Sequence, residues 1–307
     1  MSQHHHAVNV GALGGHAFSI AIALNVVIVA GEAIAGWLGN STALMADAGH
    51  NLTDILALVL AGAAAWFARR PASTRRTYGF RRATILASLA NALILIAVSV
   101  ALAWEGVTRL LTAGAVNETI VIAIAAVAVV ANSATALLFL RGRREDLNLR
   151  GAFLHMASDA ALSLGVVLAG IGILITGWEW LDPAMSLIIV VAILAITWGL
   201  LRESFNLSLD AVPTGVDTTA VRAYLAEQPG VSEVHHLHVW AMSTTEIALT
   251  AHLVKPDGVL DDALLGRIGD ELHKRFGIGH AALQLERGDT ANPCGAIAHP
   301  DANTKRK

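Results

Sequence analysis

Six long apolar stretches follow one another between residues 18 and 201, separated by short polar segments. A helix of about 20 apolar residues is long enough to cross the hydrocarbon core of a bilayer, so each stretch is predicted to be a transmembrane helix. The predicted spans are Phe18–Trp37, Ala43–Phe67, Ile85–Trp104, Thr119–Leu140, Phe153–Thr176 and Pro183–Leu201. The pattern therefore predicts an α-helical membrane protein with six spans.

After Glu203 the chain becomes polar, and Pro213 and Gly215 separate it from the last span. The predicted elements are helix Val216–Glu227, strand Val234–Ala241, strand Glu246–Leu253, helix Asp261–Phe276 and strand Ala281–Glu286. Alternation in the first strand places His236, His238 and Trp240 on one face and His235, Leu237 and Val239 on the other. This order predicts a small α+β domain with both helices on one face of the sheet.

Charge divides the chain at the same place. The first 205 residues contain 12 Lys or Arg and 11 Asp or Glu, whereas the last 102 contain 9 and 13. Only 15% of the whole chain is charged and 55% is hydrophobic, while soluble domains carry about 25% charged residues. This low charge argues against a cytosolic globular enzyme. We predict an N-terminal arm over 1–16, a transmembrane domain over 17–205, a cytosolic α+β domain over 206–288 and a disordered tail over 289–307.

Basic residues predict the orientation. Ten of the 12 basic residues in the first 205 lie in the segments after the second and fourth spans: Arg69, Arg70, Arg75, Arg76, Arg81 and Arg82 in one, and Arg141, Arg143, Arg144 and Arg150 in the other. By the positive-inside rule both termini are cytoplasmic. The arginines are expected to set topology and contact anionic lipid of the membrane. The net charge of −3 gives no reason to invoke nucleic acid, and the single Cys294 excludes a disulfide framework or a Cys-rich zinc site.

Ionisable residues inside spans are costly and mark functional sites by default. The second span contains His50 and Asp54, and the fifth contains His155 and Asp159. The spacing of four residues places each pair on one helix face. Two such faces turned toward each other provide two imidazoles and two carboxylates, a tetrahedral set suited to Zn²⁺.

Three further polar residues lie in the first two spans. Asp47 is three residues before His50 and is interpreted as a hydrogen-bond acceptor that orients a ligand histidine, with a fifth ligand or a helix-packing anchor as alternatives. Glu32, with Asn25 two turns earlier, is either a group that binds a proton during transport or a hydrogen-bonded polar group of the core. The sequence leaves that choice open.

These motifs resemble the cation diffusion facilitator family of zinc exporters. The resemblance runs from about Phe18 to Glu286 and is carried by Asn25, Glu32, Gly36, the run Ser41–His50 through Asp54, Tyr78–Arg82, His155 with Asp159, and Val234–Trp240. It implies a homodimeric metal/proton antiporter with six spans and a cytosolic domain of metallochaperone-like, ferredoxin-like fold. A His-Asp/His-Asp set looks like the zinc and cadmium type.

The resemblance also implies a metal site in the cytosolic domain. Its ligands would be His235, His252 and Glu286, with His236 and His238 as rivals and His280 as a residue that is less often a ligand. The fourth ligand is not evident. His4, His5 and His6 are either a cloning remnant or solvated segment, or a weak zinc-gathering arm that supplies this ligand from a neighbouring chain.

Three other functions compete with export. An intramembrane zinc protease requires His-Glu-x-x-His, which the sequence lacks. An organic-cation transporter would need aromatic cages, and the spans contain few aromatic residues. A metal-gated channel or sensor shares the ligands but predicts metal flow without proton exchange. The preferred interpretation is an exporter of Zn²⁺, with Cd²⁺ as a further substrate, in a bacterial inner membrane.

Overall fold

The computed structural model describes residues 15–112, 115–140, 147–257 and 262–288, with the side chains of 15–25, 58, 138–140, 147–152 and 155 left aside. The predicted arm with His4–His6, the predicted tail and Cys294 lie outside the described residues. The described residues form two compact units, one within Met1–Trp66 and Leu86–Ser204 and the other within Phe67–Ile85 and Phe205–Lys307.

Six long α-helices cover the apolar stretches. They are α1 (Gly15–Leu38), α2 (Thr42–Ala68), α3 (Ala83–Thr112), α4 (Glu118–Leu140), α5 (Leu147–Thr176) and α6 (Leu181–Ser208). Within the described residues, five helices, α2 to α6, are long and apolar enough to cross a membrane, and α1 contributes a shorter apolar stretch, Val26–Leu38. A helical membrane domain is therefore established, while the sixth span stays a prediction.

Small residues bring these helices close together. The buried core of the first unit contains many alanines, among them Ala35, Ala43, Ala46 and Ala125, and small side chains let membrane helices approach each other. Gly36 shows how tight the α1–α2 contact is, because a β-carbon there would lie 2.9 Å from Cγ of Met45. Alanine at this position would therefore require the side chain of Met45 or the helices themselves to shift.

The C-terminal elements form the expected α+β domain. They are α7 (Thr218–Ala226), β1 (Glu233–Ala241), β2 (Ile247–Val254), α8 (Asp262–Phe276) and β3 (Ile278–Glu286). The sheet order is β1-β2-β3, with β1 antiparallel to β2 and β2 parallel to β3. Both helices pack on one sheet face, where the core joins Leu225, Leu249 and Ile268. The third strand begins three residues before its predicted start because Ile278 belongs to this core.

A β-bulge changes the faces of β1. His235 pairs with His252 and His238 pairs with Thr250, so His236 and Leu237 together oppose Ala251. His236 takes a φ of 49°, in the left-handed region. The prediction that His235 faces away from His238 is therefore wrong. A left-handed residue inserted in the strand cannot be read from the alternation, and here it leaves both histidines on the face opposite the helices.

The segment between α2 and α3 belongs to the same unit as the α+β domain. Arg81 donates to Oε2 of Glu246 over 2.8 Å, and the N–H of Thr244 donates to Oγ1 of Thr84 over 3.1 Å. Arg82 forms an ion pair with Asp210. Two arginines of this basic segment therefore bind carboxylates of the C-terminal part of the chain, in addition to any role in topology.

Candidate metal sites

Three of the four residues predicted to bind metal between α2 and α5 lie together. Nε2 of His50 is 3.4 Å from Oδ1 of Asp159 and 3.8 Å from Oδ2 of Asp54. One ligand atom from each residue lies within 4.8 Å of the others. The side chain of His155 lies outside the described residues, although α5 is helical through that position. The i,i+4 spacing of α2 and the packing of α5 against it produce this group.

The chemistry of the group fits a small dication. Bonds of about 2.0–2.1 Å to a tetrahedral Zn²⁺ place its ligand atoms about 3.3 Å apart, which is close to the 3.4 Å between His50 and Asp159. Asp159 is only 2% exposed, so its charge has little water to solvate it. Two carboxylates and one imidazole beside each other offer a cation both charge compensation and a nitrogen ligand.

Two more buried carboxylates surround this group. Asp47 accepts a hydrogen bond from Oγ of Ser163 over 2.7 Å, which links α2 to α5. Glu32 accepts one from Nδ2 of Asn51 over 3.1 Å, which links α1 to α2. Both carboxylates are fully buried, and one oxygen of each, Oδ1 of Asp47 and Oε1 of Glu32, has no hydrogen-bond partner among the described residues. The side chain of Asn25 lies outside the described residues.

Sequence reasoning missed one buried carboxylate in this unit. Asp182 lies in the first turn of α6 and is 1% exposed. It accepts hydrogen bonds from the start of α2, including the N–H of Thr42 over 2.6 Å. The predicted sixth span begins at Pro183, which leaves Asp182 just outside it. The available signal was an acidic residue directly before a proline that opens an apolar helix.

A second group lies on the outer face of the C-terminal sheet. Nε2 of His235 is 3.1 Å from Oε2 of Glu286, and Nδ1 of His252 is 2.7 Å from Oε1 of the same carboxylate. One ligand atom from each of the three residues lies within 4.8 Å of the others. The three strands thus bring together the three residues that the family resemblance implied, one from each strand.

The remaining histidines of this domain divide into two sets. The ring of His236 lies 5.1 Å from that of His252 and 5.2 Å from that of His235, so the bulge places it beside the group. His238 is further away, with its ring 6.3 Å from that of His236. His280 packs edge-on against Tyr78 at 5.9 Å, outside the group. His236 is therefore the nearest additional imidazole.

Comparison with known proteins identifies both parts of the chain. Residues 19–207 match the model of the cation efflux transmembrane domain, and residues 213–288 match that of the cation efflux protein cytoplasmic domain. The zinc transporter ZitB of Yersinia pestis is 38% identical over 281 residues, which cover 90% of this chain and 89% of the relative.

Two further relatives extend the range of metals. The metal cation efflux system protein CzcD of Cupriavidus metallidurans is 35% identical, covering 87% of this chain and 85% of the relative. The cadmium, cobalt and zinc/H(+)-K(+) antiporter of Bacillus subtilis is 32% identical, covering 83% of each chain. These are transporters and not enzymes, and the chain belongs to the cation efflux family, the cation diffusion facilitators.

Proposed function

We propose that this protein exports Zn²⁺, and with it Cd²⁺, from the cytoplasm in exchange for protons. The observation that carries the proposal is the group of His50, Asp54 and Asp159 on two apolar helices. The names of the relatives support it, because they include zinc transporters and an antiporter whose substrates are cadmium, cobalt and zinc. The metal is the cargo of this site and not a resident cofactor.

In this proposal His155 supplies the fourth ligand. It lies one helical turn before Asp159 on α5, and residues four apart share a helix face. His50 and Asp54 have the same spacing on α2 and do lie at one site. The complete set of two imidazoles and two carboxylates leaves a tetrahedral Zn²⁺ without the open position that a hydrolytic metal needs.

Asp47 and Glu32 act next to this site. Asp47 bonds Ser163 on α5 and so holds the two ligand-bearing helices in register. Its free oxygen and that of Glu32 are buried, which suits groups that take up and release protons during transport. Asn25 precedes Glu32 on α1, and we place it on the same proton route.

The proposed arrangement in the cell is a homodimer with six spans per chain, in a bacterial inner membrane with both termini cytoplasmic. The match of the cytoplasmic domain model supports the position of the C-terminal domain. Exposed arginines of the α2–α3 segment, such as Arg69 and Arg75, then face the anionic lipid of the inner leaflet.

Transport into everted membrane vesicles tests the function. Vesicles containing the protein are offered Zn²⁺, Cd²⁺, Co²⁺, Mn²⁺ and Fe²⁺ in turn, with and without an imposed pH gradient. We expect accumulation of Zn²⁺ and Cd²⁺ that requires the gradient. Metal entry that is equal with and without the pH gradient, and that stops when the metal concentrations on the two sides are equal, would indicate a channel. Absence of zinc uptake would refute the proposal.

Replacing His50 with aspartate tests the role of the nitrogen ligand. We expect the preference for Zn²⁺ over Mn²⁺ to fall by about tenfold or more, because a soft nitrogen becomes a hard oxygen. Competition between the two ions for uptake into vesicles measures this preference. Glu118→Gln changes a carboxylate in the first turn of α4, outside the ligand group, and serves as control. An unchanged preference in His50→Asp would place selectivity elsewhere.

We also propose that His235, His252 and Glu286 bind a regulatory zinc ion in the C-terminal domain. The proposal is supported by the convergence of three ligand types within 4.8 Å. His236, and His4, His5 or His6 of a neighbouring chain, are the candidates for the fourth ligand. In this role the ion adjusts the transport rate and is not carried across the membrane.

Glu286→Gln is expected to lower the zinc bound per chain by about one equivalent, because it removes the carboxylate that contacts both histidines. Zinc content after dialysis of the purified full-length protein measures this. His280→Ala is the matched control, since it removes a histidine from the same strand but outside the group. Equal zinc content in Glu286→Gln and wild type would exclude this site.

A further inference from the structure

Asp182 connects the start of α6 to the start of α2. Its Oδ2 accepts hydrogen bonds from the N–H of Thr42 over 2.6 Å, from Oγ1 of Thr42 over 2.8 Å and from the N–H of Ala43 over 3.3 Å. Its Oδ1 accepts another from the hydroxyl of Ser41. These residues are all nearly inaccessible to solvent, with exposures of 0% to 2%. Four hydrogen bonds thus converge on one buried carboxylate.

The first turn of α2 depends on this carboxylate. The first N–H groups of any helix lack partners within the helix. Here the N–H groups of Thr42 and Ala43 bind Asp182, and that of Leu44 donates to Oγ of Ser41 over 3.1 Å. A negative charge at this end also interacts favourably with the helix dipole. Asp182 therefore caps α2 from another helix and supplies what the local sequence alone does not.

The connection that precedes α2 is fixed as well. Arg109 of α3 donates to the carbonyl of Asn40 over 2.5 Å, and Nδ2 of Asn40 donates to the carbonyl of Ala115 over 2.9 Å. The N–H of Asn117 donates to the carbonyl of Gly39 over 2.8 Å. With its start held from several sides, α2 has little freedom to slide or rotate at this end.

We propose that Asp182 is a positioning residue for transport, which fixes the axial position and rotation of α2 and thereby the placement of His50 and Asp54. The inference rests on the proposed function. His50 lies eight residues beyond Thr42, which is about 12 Å along a rigid helix, so a shift or rotation at the first turn is carried to the ligands. A binding site needs its groups placed within about 0.5 Å.

The alternative role for a buried carboxylate is to bind the transported ion or a proton directly during transport. The two roles respond differently to substitution. Asp182→Asn removes the charge but keeps an oxygen that accepts from Thr42 and Ala43. Asp182→Ala removes charge and acceptor together. A positioning residue is therefore rescued largely by asparagine, whereas an ion-carrying residue is not.

The test measures zinc uptake by proteoliposomes as a function of zinc concentration, together with backbone amide exchange of the same proteins. We expect Asp182→Ala to raise the zinc concentration for half-maximal uptake by about tenfold or more, and Asp182→Asn to raise it by about threefold or less. Amide exchange over Thr42–Met45 should become faster in Asp182→Ala but not over β2. Glu118→Ala, which changes the acidic residue in the first turn of α4, is the control and should match wild type.

A helix-side variant covers the case in which Asp182→Ala does not fold. Ser41→Ala combined with Thr42→Ala removes two of the donors, and we expect it to raise the half-maximal concentration in the same direction. Equal loss of transport in Asp182→Asn and Asp182→Ala would overturn the proposal. Unchanged zinc uptake and amide exchange in Asp182→Ala would overturn it too. In both cases zinc transport by the wild type would leave the proposed function intact. Absence of zinc uptake by the wild type would refute both.

Discussion

Replacing Asp159 with alanine is expected to abolish zinc transport, with a loss of at least about a hundredfold, while the protein stays folded. Changes to residues that only support a metal ligand already cost about 10- to 100-fold, and Asp159 is itself a proposed ligand. It is also the most buried residue of the group, at 2% exposure. Without this carboxylate, the site has one negative charge fewer to compensate the bound dication, and little water is present to replace it. Asp54→Ala should have a similar effect, because it removes the second carboxylate.

Thermal unfolding separates loss of metal binding from loss of folding. A ligand that binds only the folded protein raises its stability in proportion to the logarithm of its concentration, so added zinc should raise the melting temperature of the wild type more than that of Asp159→Ala. In the absence of metal, alanine removes a carboxylate that is costly to bury away from water, so the variant is expected to stay folded. Glu105→Gln changes an exposed carboxylate on α3 and is the control. Normal transport in Asp159→Ala would refute the two-helix site.

Much of the ligand arrangement follows from local rules. Hydropathy predicts the long helices because a membrane requires about 20 apolar residues per span. The spacing of His50 and Asp54 places them on one face because the α-helix has 3.6 residues per turn. That Asp159 joins them requires α2 and α5 to be neighbours, which spacing alone does not establish. The repetition of the same motif on two helices was the signal for that long-range contact.

The features that sequence reasoning missed depend on contacts between distant parts of the chain. Asp182 and Thr42 are 140 residues apart, and hydropathy simply leaves Asp182 outside the span. The bulge in β1 needs a left-handed His236, which an alternating pattern does not reveal. The ion pair of Arg81 with Glu246 could not be predicted, because the positive-inside rule already accounts for a basic segment beside a membrane helix.

The zinc affinity of the purified protein in detergent is expected to decrease as the pH is lowered, by about tenfold per ligand histidine between about pH 8 and pH 5.5. Only the neutral imidazole binds metal, and histidine ordinarily titrates near pH 6.5. Protons and Zn²⁺ therefore compete for His50, and for His155 in the proposed set. The sign is fixed by this competition: the zinc-loaded form is favoured at the higher pH and the protonated form at the lower.

In the proposed mechanism, the same competition drives transport when the two sides of the membrane differ in pH. A neutral cytoplasm loads the site with zinc, and a more acidic exterior protonates the histidines and releases it. The protonated site then returns without metal, so inward proton flow drives outward zinc flow, and differential affinity of the two facing states is sufficient. A protonophore added to everted vesicles should therefore stop uphill zinc accumulation, whereas dissipating a K⁺ gradient at constant pH should not. Zinc affinity that stays flat with pH, or uphill accumulation that survives the protonophore, would contradict proton coupling at these histidines.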